Sequence, residues 1–399
     1  MIAIKPVDIL LPRSADYSKW AVVACDQFTS QPDYWDKLDK LVGENKSTLR
    51  LIYPEVYLGE ENADGRIADI HNTMLRYLED GVFEEYKNPF VLIKRKTAFG
   101  NERLGLIVGI DLEDYCFTHP SHAQIRSTED VVMDRIPPRL RIREGAPLEL
   151  PHVILLLDDE KKCVIERLAA NTREVLYDFD LNMDGGHITG YKVNADEAIA
   201  LFEAYADAKL ADGKDFLFAV GDGNHSLATA QAYWNELKPT LSIEERRSHP
   251  ARFALCEMEN LYDDGIAFEP IHRFVFGADE RLIAELKSGM SGESAIKAVV
   301  DGKEVLFNAP VNCAEAISAV QRIAEGFVKQ NSGCKMDYIH GEDNLMSVAA
   351  SNKGVAIIMP SLKKDELFAY VSAHGALCKK TFSMGEAQEK RYYVEAKRI

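Results

Sequence analysis

The sequence lacks the motifs by which the commonest nucleotide enzymes and hydrolases are recognised. It contains no Gly-x-x-x-x-Gly-Lys-Thr loop, no dinucleotide-binding glycine fingerprint and no Gly-x-Ser-x-Gly elbow. These absences weaken the case for the familiar nucleotide enzymes and serine hydrolases. The chain also has no run approaching the ~20 apolar residues of a membrane span, and its first twelve residues lack the apolar stretch of a signal peptide. We therefore expect no membrane partner.

Paired cysteines and positive charge are also scarce. The seven cysteines are scattered singly and form no Cys-x-x-Cys motif, which disfavours a disulfide framework and predicts a reducing, cytoplasmic location. Lysine and arginine number 47 against 64 aspartates and glutamates, so the formal net charge is −17. That field repels a phosphate backbone, and we therefore predict no nucleic-acid partner. The oligomeric state is left open.

A chain of 399 residues is long enough for about two to three domains. We predict an N-terminal α/β part over 1–125, a core over 126–260 and a C-terminal α/β part over 261–399. Strand-like and helix-like segments alternate, but hairpin signals also occur, as at the Gly100-Asn101 turn. This mixture predicts the α/β (α+β) class, with a mixed β-sheet flanked by helices. Residues 164–177 are expected to be helical.

The most informative segment runs from Asp215 to Ser226. An apolar run stops at Gly-Asp-Gly-Asn-His-Ser, and apolar residues at helical spacing follow, which predicts strand, tight loop and helix. Such a loop lies at a helix N-terminus, where backbone N–H groups and the helix dipole favour an anion. Asp222, His225 and Ser226 add a carboxylate, an imidazole and a hydroxyl. The alternative is a well-capped turn without a function.

Basic residues cluster in two other places. Arginines at positions 126, 135, 139, 141 and 143 present planar forks that suit phosphate or carboxylate oxygens. The alternative is a solvated edge strand, since positions 139, 141 and 143 alternate along one face. Near the C-terminus, Lys380 and Thr381 pair a cation with a hydroxyl, which suits either a phosphate contact or a basic tail without a role.

With these segments the chain resembles the bacterial and archaeal proteins grouped as domain of unknown function family 1015. The resemblance spans most of the chain, and its carriers are residues 222–226, 126–129 with Arg135 downstream, and 379–382. The family's usual loop is Asp-Gly-His-His-Arg, so Asn224 replaces the first histidine and Ser226 the arginine. Members are often encoded beside serine-biosynthesis enzymes, which suggests serine or phosphoserine as substrate.

The loop in turn resembles that of sulfiredoxin, the ParB nucleotide-binding fold and the free-serine kinase. The resemblance implies a ParB/sulfiredoxin-like core with a phosphate-handling pocket, in which Asp222 and His225 serve catalysis and phosphate contact. A separate glutamate acts as base in the kinase, and our candidate for that role is Glu129. Mg²⁺ at Asp222 is the predicted cofactor, while the nucleotide is left open. The remaining predicted contacts to substrate or phosphate are Gly223, Asn224, Ser226, Arg126, Arg135, Lys380 and Thr381.

Together these observations predict a phosphate-handling enzyme whose partner is a small phosphorylated or anionic metabolite. The favoured forms are a phosphoserine phosphatase or a serine kinase-like phosphotransferase in serine metabolism. Sulfiredoxin chemistry needs a loop cysteine, and residues 222–226 contain none. The alternative is a non-enzymatic nucleotide or phospho-metabolite sensor, because the loop has lost an arginine and a histidine. A ParB-like switch on DNA is disfavoured by the net charge of −17.

Overall fold

The structure is a computed structural model that describes residues 2–399. Its β-strands are, in chain order, β1 (Ile4–Lys5), β2 (Ile9–Pro12), β3 (Val22–Val23), β4 (Phe83–Tyr86), β5 (Phe90–Lys96), β6 (Glu102–Asp111), β7 (Tyr115–Cys116), β8 (Ile125–Ser127), β9 (Leu148–Glu149), β10 (Ile154–Leu157), β11 (Glu174–Leu181), β12 (Gly186–Val193), β13 (Phe218–Asp222), β14 (Phe253–Asn260), β15 (Phe268–Phe276), β16 (Ser294–Val300), β17 (Lys303–Ala309), β18 (Lys335–His340), β19 (Gly354–Ile358), β20 (Phe382–Met384), β21 (Tyr392–Tyr393) and β22 (Lys397–Arg398).

The α-helices of the same range are α1 (Tyr17–Trp20), α2 (Pro32–Val42), α3 (Ala63–Glu79), α4 (Ile136–Arg143), α5 (Ile165–Asn171), α6 (Ala195–Ala211), α7 (Asn224–Leu237), α8 (Ile243–Ser248), α9 (Glu280–Gly289), α10 (Cys313–Gln330), α11 (Glu342–Ser351) and α12 (Lys364–His374). Within residues 2–399, no helix has both the length and the apolar character that a bilayer crossing requires. All seven cysteines are free thiols.

The chain forms two compact units that are not consecutive in sequence. The first comprises Met1–Ser127, Val131–Ile266 and Glu386–Ile399, and the second comprises Thr128–Asp130 and Ala267–Gly385. The chain therefore leaves the first unit twice and returns to it with its last fourteen residues. The division into parts 1–125, 126–260 and 261–399 stays a prediction.

A ten-stranded mixed sheet forms the centre of the first unit. Its order is β11-β12-β5-β6-β14-β10-β13-β8-β7, and β1 pairs with β6. The pairs β10–β14, β13–β8 and β7–β8 are parallel, while the hairpins β5–β6 and β11–β12 are antiparallel. The predicted α/β class with a mixed sheet flanked by helices is confirmed.

Strand alternation divides the apolar residues of this sheet between two hydrophobic cores. On β5, Phe90 and Leu92 join one core while Val91 and Ile93 join the other. Successive side chains of a strand point to opposite faces, so each core covers one face of the sheet. Helices α5, α6 and α7 contribute to the first core, and α2 and α3 contribute to the second. The sheet is therefore buried on both faces.

The second unit contains a smaller sheet. Its order is β17-β16-β19-β15-β18, and β20 pairs with β15. Val275 packs with residues of α9 and α10, whereas the preceding residue, Phe274, packs with Leu345 of α11. The same alternation thus buries both faces here as well.

Two local predictions are wrong. Residues 164–177 are helical only as far as Asn171, because β11 begins at Glu174 and pairs with β12 as an antiparallel hairpin. The arginines at 139, 141 and 143 lie on helix α4 and not on an edge strand. Two prolines stand at the second and third positions of α4, within the first turn, where a missing N–H and a fixed φ suit a helix start. Both errors arise because a short charged segment takes its conformation from its tertiary neighbours.

Candidate functional site

The predicted strand, loop and helix are present. Strand β13 ends at Asp222, and α7 begins at Asn224 with Gly223 between them at φ +80°. Only glycine adopts this left-handed conformation without strain, and a Cβ here would lie 3.1 Å from Val153 Cα. Because a glycine stands at the N-cap position, α7 has no side-chain cap hydrogen bond from that residue. The choice between an anion site and a turn without a function stays a prediction.

Asp222 faces a cation that comes from the far end of the chain. Its Oδ1 accepts a hydrogen bond of 3.0 Å from the N–H of Gly223, and its Oδ2 lies 3.3 Å from Lys390 Nζ. The two side chains are 25% and 11% exposed, respectively. Lys390 is held in place by Arg95, which donates to the carbonyl oxygens of Lys390 at 3.1 Å and Gln388 at 2.8 Å.

Asn224 and His225, which follow Gly223 in the loop, form hydrogen bonds with other parts of the protein. Asn224 accepts a hydrogen bond of 2.5 Å from Ser127 Oγ, which ties the start of α7 to β8. His225 Nε2 accepts a hydrogen bond of 3.0 Å from the N–H of Val132. In neutral His225 the proton therefore lies on Nδ1. A phosphate contact by Asn224 or His225 stays a prediction.

Ser226 belongs to a hydrogen-bonded chain of side chains. Its Oγ lies 2.6 Å from His152 Nε2, and His152 Nδ1 lies 2.9 Å from the hydroxyl of Tyr393. The three residues line a cavity of about 160 Å³ in the first unit. His152 and Tyr393 were not identified by sequence reasoning, because a single histidine before a buried strand carries no signal of its own.

The side chains of the predicted arginines have contacts outside the loop of residues 222–226. Arg126 is buried, forms an ion pair with Asp215 and stacks over Phe216, with 5.0 Å from its guanidinium carbon to the ring centroid. Asp215 precedes strand β13 and Asp222 ends it, seven positions later. In a fully extended segment the two residues would be roughly 23 Å apart. Arg126 is therefore at the opposite end of β13 from the loop. Arg135 is exposed at the start of α4.

The three arginines of α4 bind three different carboxylates. Their partners are Glu55 for Arg139, Asp64 for Arg141 and Glu149 for Arg143. A helix turns about 100° per residue, so alternate positions do not share a face and their side chains spread. These arginines consequently do not form the predicted single cluster facing an anion.

The other predicted residues belong to the second unit. The N–H of Lys380 donates to Glu129 Oε1 at 3.2 Å, and Glu129 forms an isolated β-bridge with Leu377. Thr381 is buried, and its hydroxyl donates to the carbonyl oxygen of Cys378 at 2.6 Å. The structure thus brings Glu129 into contact with Lys380, while the hydroxyl of Thr381 contacts Cys378. Their roles as base and phosphate ligands stay predictions.

The fold and the loop define an α/β protein in which residues 222–226 join a strand of the central sheet to helix α7. The chain belongs to the family described as protein of unknown function (DUF1015), whose model matches residues 4–396. The predicted family is confirmed. No curated protein matches the sequence.

Three solved structures show a distant likeness. A mutant of free serine kinase in complex with ADP is 11% identical, with 72% of this chain and 87% of that chain covered and a TM-score of 0.39. A conserved hypothetical protein from Pyrococcus furiosus is 11% identical, with 73% and 94% covered and a TM-score of 0.35. SbnI from Staphylococcus aureus, truncated at its C-terminus, is 11% identical, with 70% and 82% covered and a TM-score of 0.38. A likeness at this level says nothing about what the present chain binds.

Proposed function

We propose that this protein is a phosphate-handling enzyme that acts on a small metabolite. The observation that carries the proposal is the N-terminus of α7, which has no side-chain cap and lies beside the Asp222–Lys390 pair. First-turn amides and the helix dipole attract an anion, and the Lys390 ammonium adds a full positive charge. Phosphoryl transfer depends mainly on positioning and on neutralising charge, which these groups supply.

Asp222 takes the proton-transfer role in this proposal, and His225 stabilises the leaving oxygen. A phosphate that engages Lys390 weakens the hold of that ammonium on the Asp222 carboxylate, which then accepts a proton from the attacking hydroxyl or water. His225 keeps its proton and donates a hydrogen bond from Nδ1 to the leaving oxygen, because its Nε2 already accepts from Val132. The proton taken up by Asp222 then passes to the leaving oxygen. The finer substrate identity, phosphoserine or serine with a nucleotide, follows from the family resemblance.

Mg²⁺ at Asp222 fits the surrounding charges poorly. The ammonium of Lys390 lies 3.3 Å from Asp222 Oδ2 and opposes a divalent cation at that oxygen. No step of the proposed reaction therefore uses a metal held by Asp222. The assay varies Mg²⁺ because the ion can bind the phosphates of the nucleotide.

The test uses the full-length protein with phosphoserine, or with serine plus ATP or ADP, each with and without Mg²⁺. We expect phosphate release or phosphoserine formation, reduced on the order of 100-fold by Asp222→Asn, because the variant cannot accept the proton. Asp207→Asn is the matched control, since Asp207 is an exposed aspartate of the same unit. Absence of turnover under every condition, or full turnover by Asp222→Asn, contradicts the proposal.

A second candidate function is that of a non-enzymatic sensor of a nucleotide or phospho-metabolite. The contacts of Asp222 with Lys390 and of His225 with Val132 favour it, because both candidate catalytic side chains already have partners. Thermal-shift measurements with nucleotides and phosphorylated amino acids separate the two functions. Stabilisation by a ligand that is never turned over favours the sensor.

A further inference from the structure

The side chains of Ser226 and His152 form a pair that the proposed phosphate chemistry does not use. The 2.6 Å between Ser226 Oγ and His152 Nε2 is the separation expected of a nucleophile and its base. Ser226 lies in the first turn of α7, His152 precedes β10, and Tyr393 lies in β21. Tertiary folding alone therefore brings the three side chains together.

The hydrogen bonds around Tyr393 allow His152 to carry its proton on Nδ1. The Tyr393 hydroxyl oxygen accepts from the backbone N–H of Cys25 at 3.1 Å, and the hydroxyl also contacts the Cys25 thiol. When the phenolic proton is directed to that sulfur, the oxygen can accept a second hydrogen bond from His152 Nδ1–H. His152 Nε2 then has a free lone pair that accepts the Ser226 O–H. Burial raises the pKa of Tyr393 well above its ordinary value, so the phenol stays neutral.

The cavity in front of the pair is small and mostly apolar. Its volume is about 160 Å³, close to the roughly 150 Å³ of an engineered cavity that holds benzene. One polar wall is the ion pair between Glu55 and Arg139. This space fits a short acyl group. The apolar lining includes Leu51, Ile52, Leu58, Met74, Leu148 and Leu150.

We propose that Ser226 is a nucleophile that accepts short apolar acyl groups from carboxylic esters, with His152 as its base and Tyr393 as a positioning residue. Ser226 Oγ bonds to the carbonyl carbon while its proton moves to His152 Nε2. The carbon–oxygen bond to the alcohol breaks, and the departing oxygen takes that proton. Water then attacks the acyl-serine, gives a proton to His152, and releases the acid as the proton returns to Ser226.

The absence of a Gly-x-Ser-x-Gly elbow does not count against this activity. Serine–histidine pairs recur on unrelated folds and are recognised by geometry and not by sequence position. The activity is independent of the phosphate proposal, because it uses the side chains of Ser226 and His152 and not those of Asp222, His225 or Lys390.

The test is labelling of the folded, full-length protein with a small alkyl fluorophosphonate, followed by peptide mapping by mass spectrometry. Hydrolysis of p-nitrophenyl acetate and p-nitrophenyl octanoate is measured in parallel. The variants are Ser226→Ala and His152→Gln, whose amide reaches toward Ser226 but cannot take up a proton. Ser248→Ala is the control, because Ser248 is an exposed serine of the same unit. Circular dichroism and Tm establish that each variant is folded.

We expect one adduct, on Ser226, and faster hydrolysis of the acetate than of the octanoate. Ser226→Ala should abolish both reactions, His152→Gln should slow labelling on the order of 100-fold, and the control should react as wild type does. Failure of the wild-type protein to label, an adduct at another residue, or wild-type labelling of folded His152→Gln overturns the proposal. Faster hydrolysis of the octanoate overturns the assignment of a short acyl group. Should Ser226→Ala not fold, His152→Gln decides.

Discussion

The first unit contains two clusters of ionisable side chains that differ in nearly every physical respect. The buried ion network joins Arg391 to Glu257 at 3.1 Å and to Glu395, and it places Arg103 Nε 2.9 Å from Glu259. Its side chains are at most 6% exposed. The loop cluster of Asp222 and Lys390 is 25% and 11% exposed, and its ions are 3.3 Å apart.

The difference indicates which cluster supports the fold and which can react. Charges without access to water must be paired within the protein, and removal of one partner leaves the other uncompensated. Gly105 shows how closely the buried network is packed, since a Cβ there would lie 2.1 Å from Glu257 Oε1. Ions that remain partly hydrated can exchange one partner for a ligand at lower cost. The loop cluster is therefore the better candidate for binding.

The two clusters are also connected. Arg95 donates to the carbonyl oxygen of Lys390 and stacks on Tyr392, with 4.9 Å from its guanidinium carbon to the ring centroid. Burial lowers the pKa of Arg95 to about 10, which still leaves it charged at neutral pH. The buried region thus holds the backbone from which Lys390 reaches Asp222.

The largest expected effect is on stability, from Arg391→Met in the buried ion network. Loss of the guanidinium leaves Glu257 and Glu395 without their shared cation. We therefore expect the free energy of unfolding to fall by about 3–5 kcal/mol. Urea denaturation measures this change. Arg398→Met, at an exposed arginine nearby in sequence, should change stability little. Equal effects of the two substitutions would remove the distinction between buried and exposed charges.

The next effect concerns the pH dependence of stability. Burial raises the pKa of Glu259 from 4.5 to about 7, so the folded protein keeps a proton that the unfolded chain loses over pH 4.5–7. Stability contributed by this group therefore falls as pH rises through that window, by up to about 1 kcal/mol per pH unit. Denaturation at several pH values should show that Glu259→Gln lacks this fall.

Glu236→Gln provides the comparison for Glu259, because Glu236 is an exposed glutamate of the same unit. It should follow the wild-type pH curve. A Glu259→Gln curve parallel to wild type over pH 4.5–7 would show that the buried carboxyl is ionised throughout.

A smaller effect on stability is expected from Gly223→Ala in the loop. A left-handed alanine costs about 1–2 kcal/mol, and the new Cβ also lies against Val153. Gly213→Ala has a similar φ of +74° but open space around its Cβ, so it isolates the backbone cost. Thermal denaturation of both variants should place Gly223→Ala below Gly213→Ala. The reverse order would mean that Val153 moves aside without cost.

The smallest effect is expected from Lys390→Met. Loss of the ammonium should weaken phosphate or phosphoserine binding roughly 10-fold. The loss of Tm should be smaller than for Arg391→Met, because Asp222 is 25% exposed and water can solvate its carboxylate once the ammonium is gone. Isothermal titration calorimetry measures the affinity. Lys161→Met, at an exposed lysine of the same unit, is the control. A large loss of Tm without a loss of affinity would mean that Lys390 stabilises the fold and does not bind the ligand.

Local patterns predicted much of the first unit. The β5–β6 hairpin and the β13–loop–α7 segment lie close to where apolar spacing and turn residues predict them. Each depends on contacts between residues near in sequence. The segment 164–177 and the arginines of α4 were mispredicted, because pairing with β12 and ion pairs to distant carboxylates decide their conformation.

The sequence by itself determined the family, the class of the fold and the loop with its glycine, carboxylate, imidazole and hydroxyl. Only the tertiary structure decided which groups face that loop: Lys390 opposite Asp222, and His152 with Tyr393 behind Ser226. It also directed Arg126 to Asp215 at the other end of the strand. The physical reason is that periodicity reports only the burial of nearby residues, whereas a partner brought from across the chain by the sheet leaves no trace in local spacing.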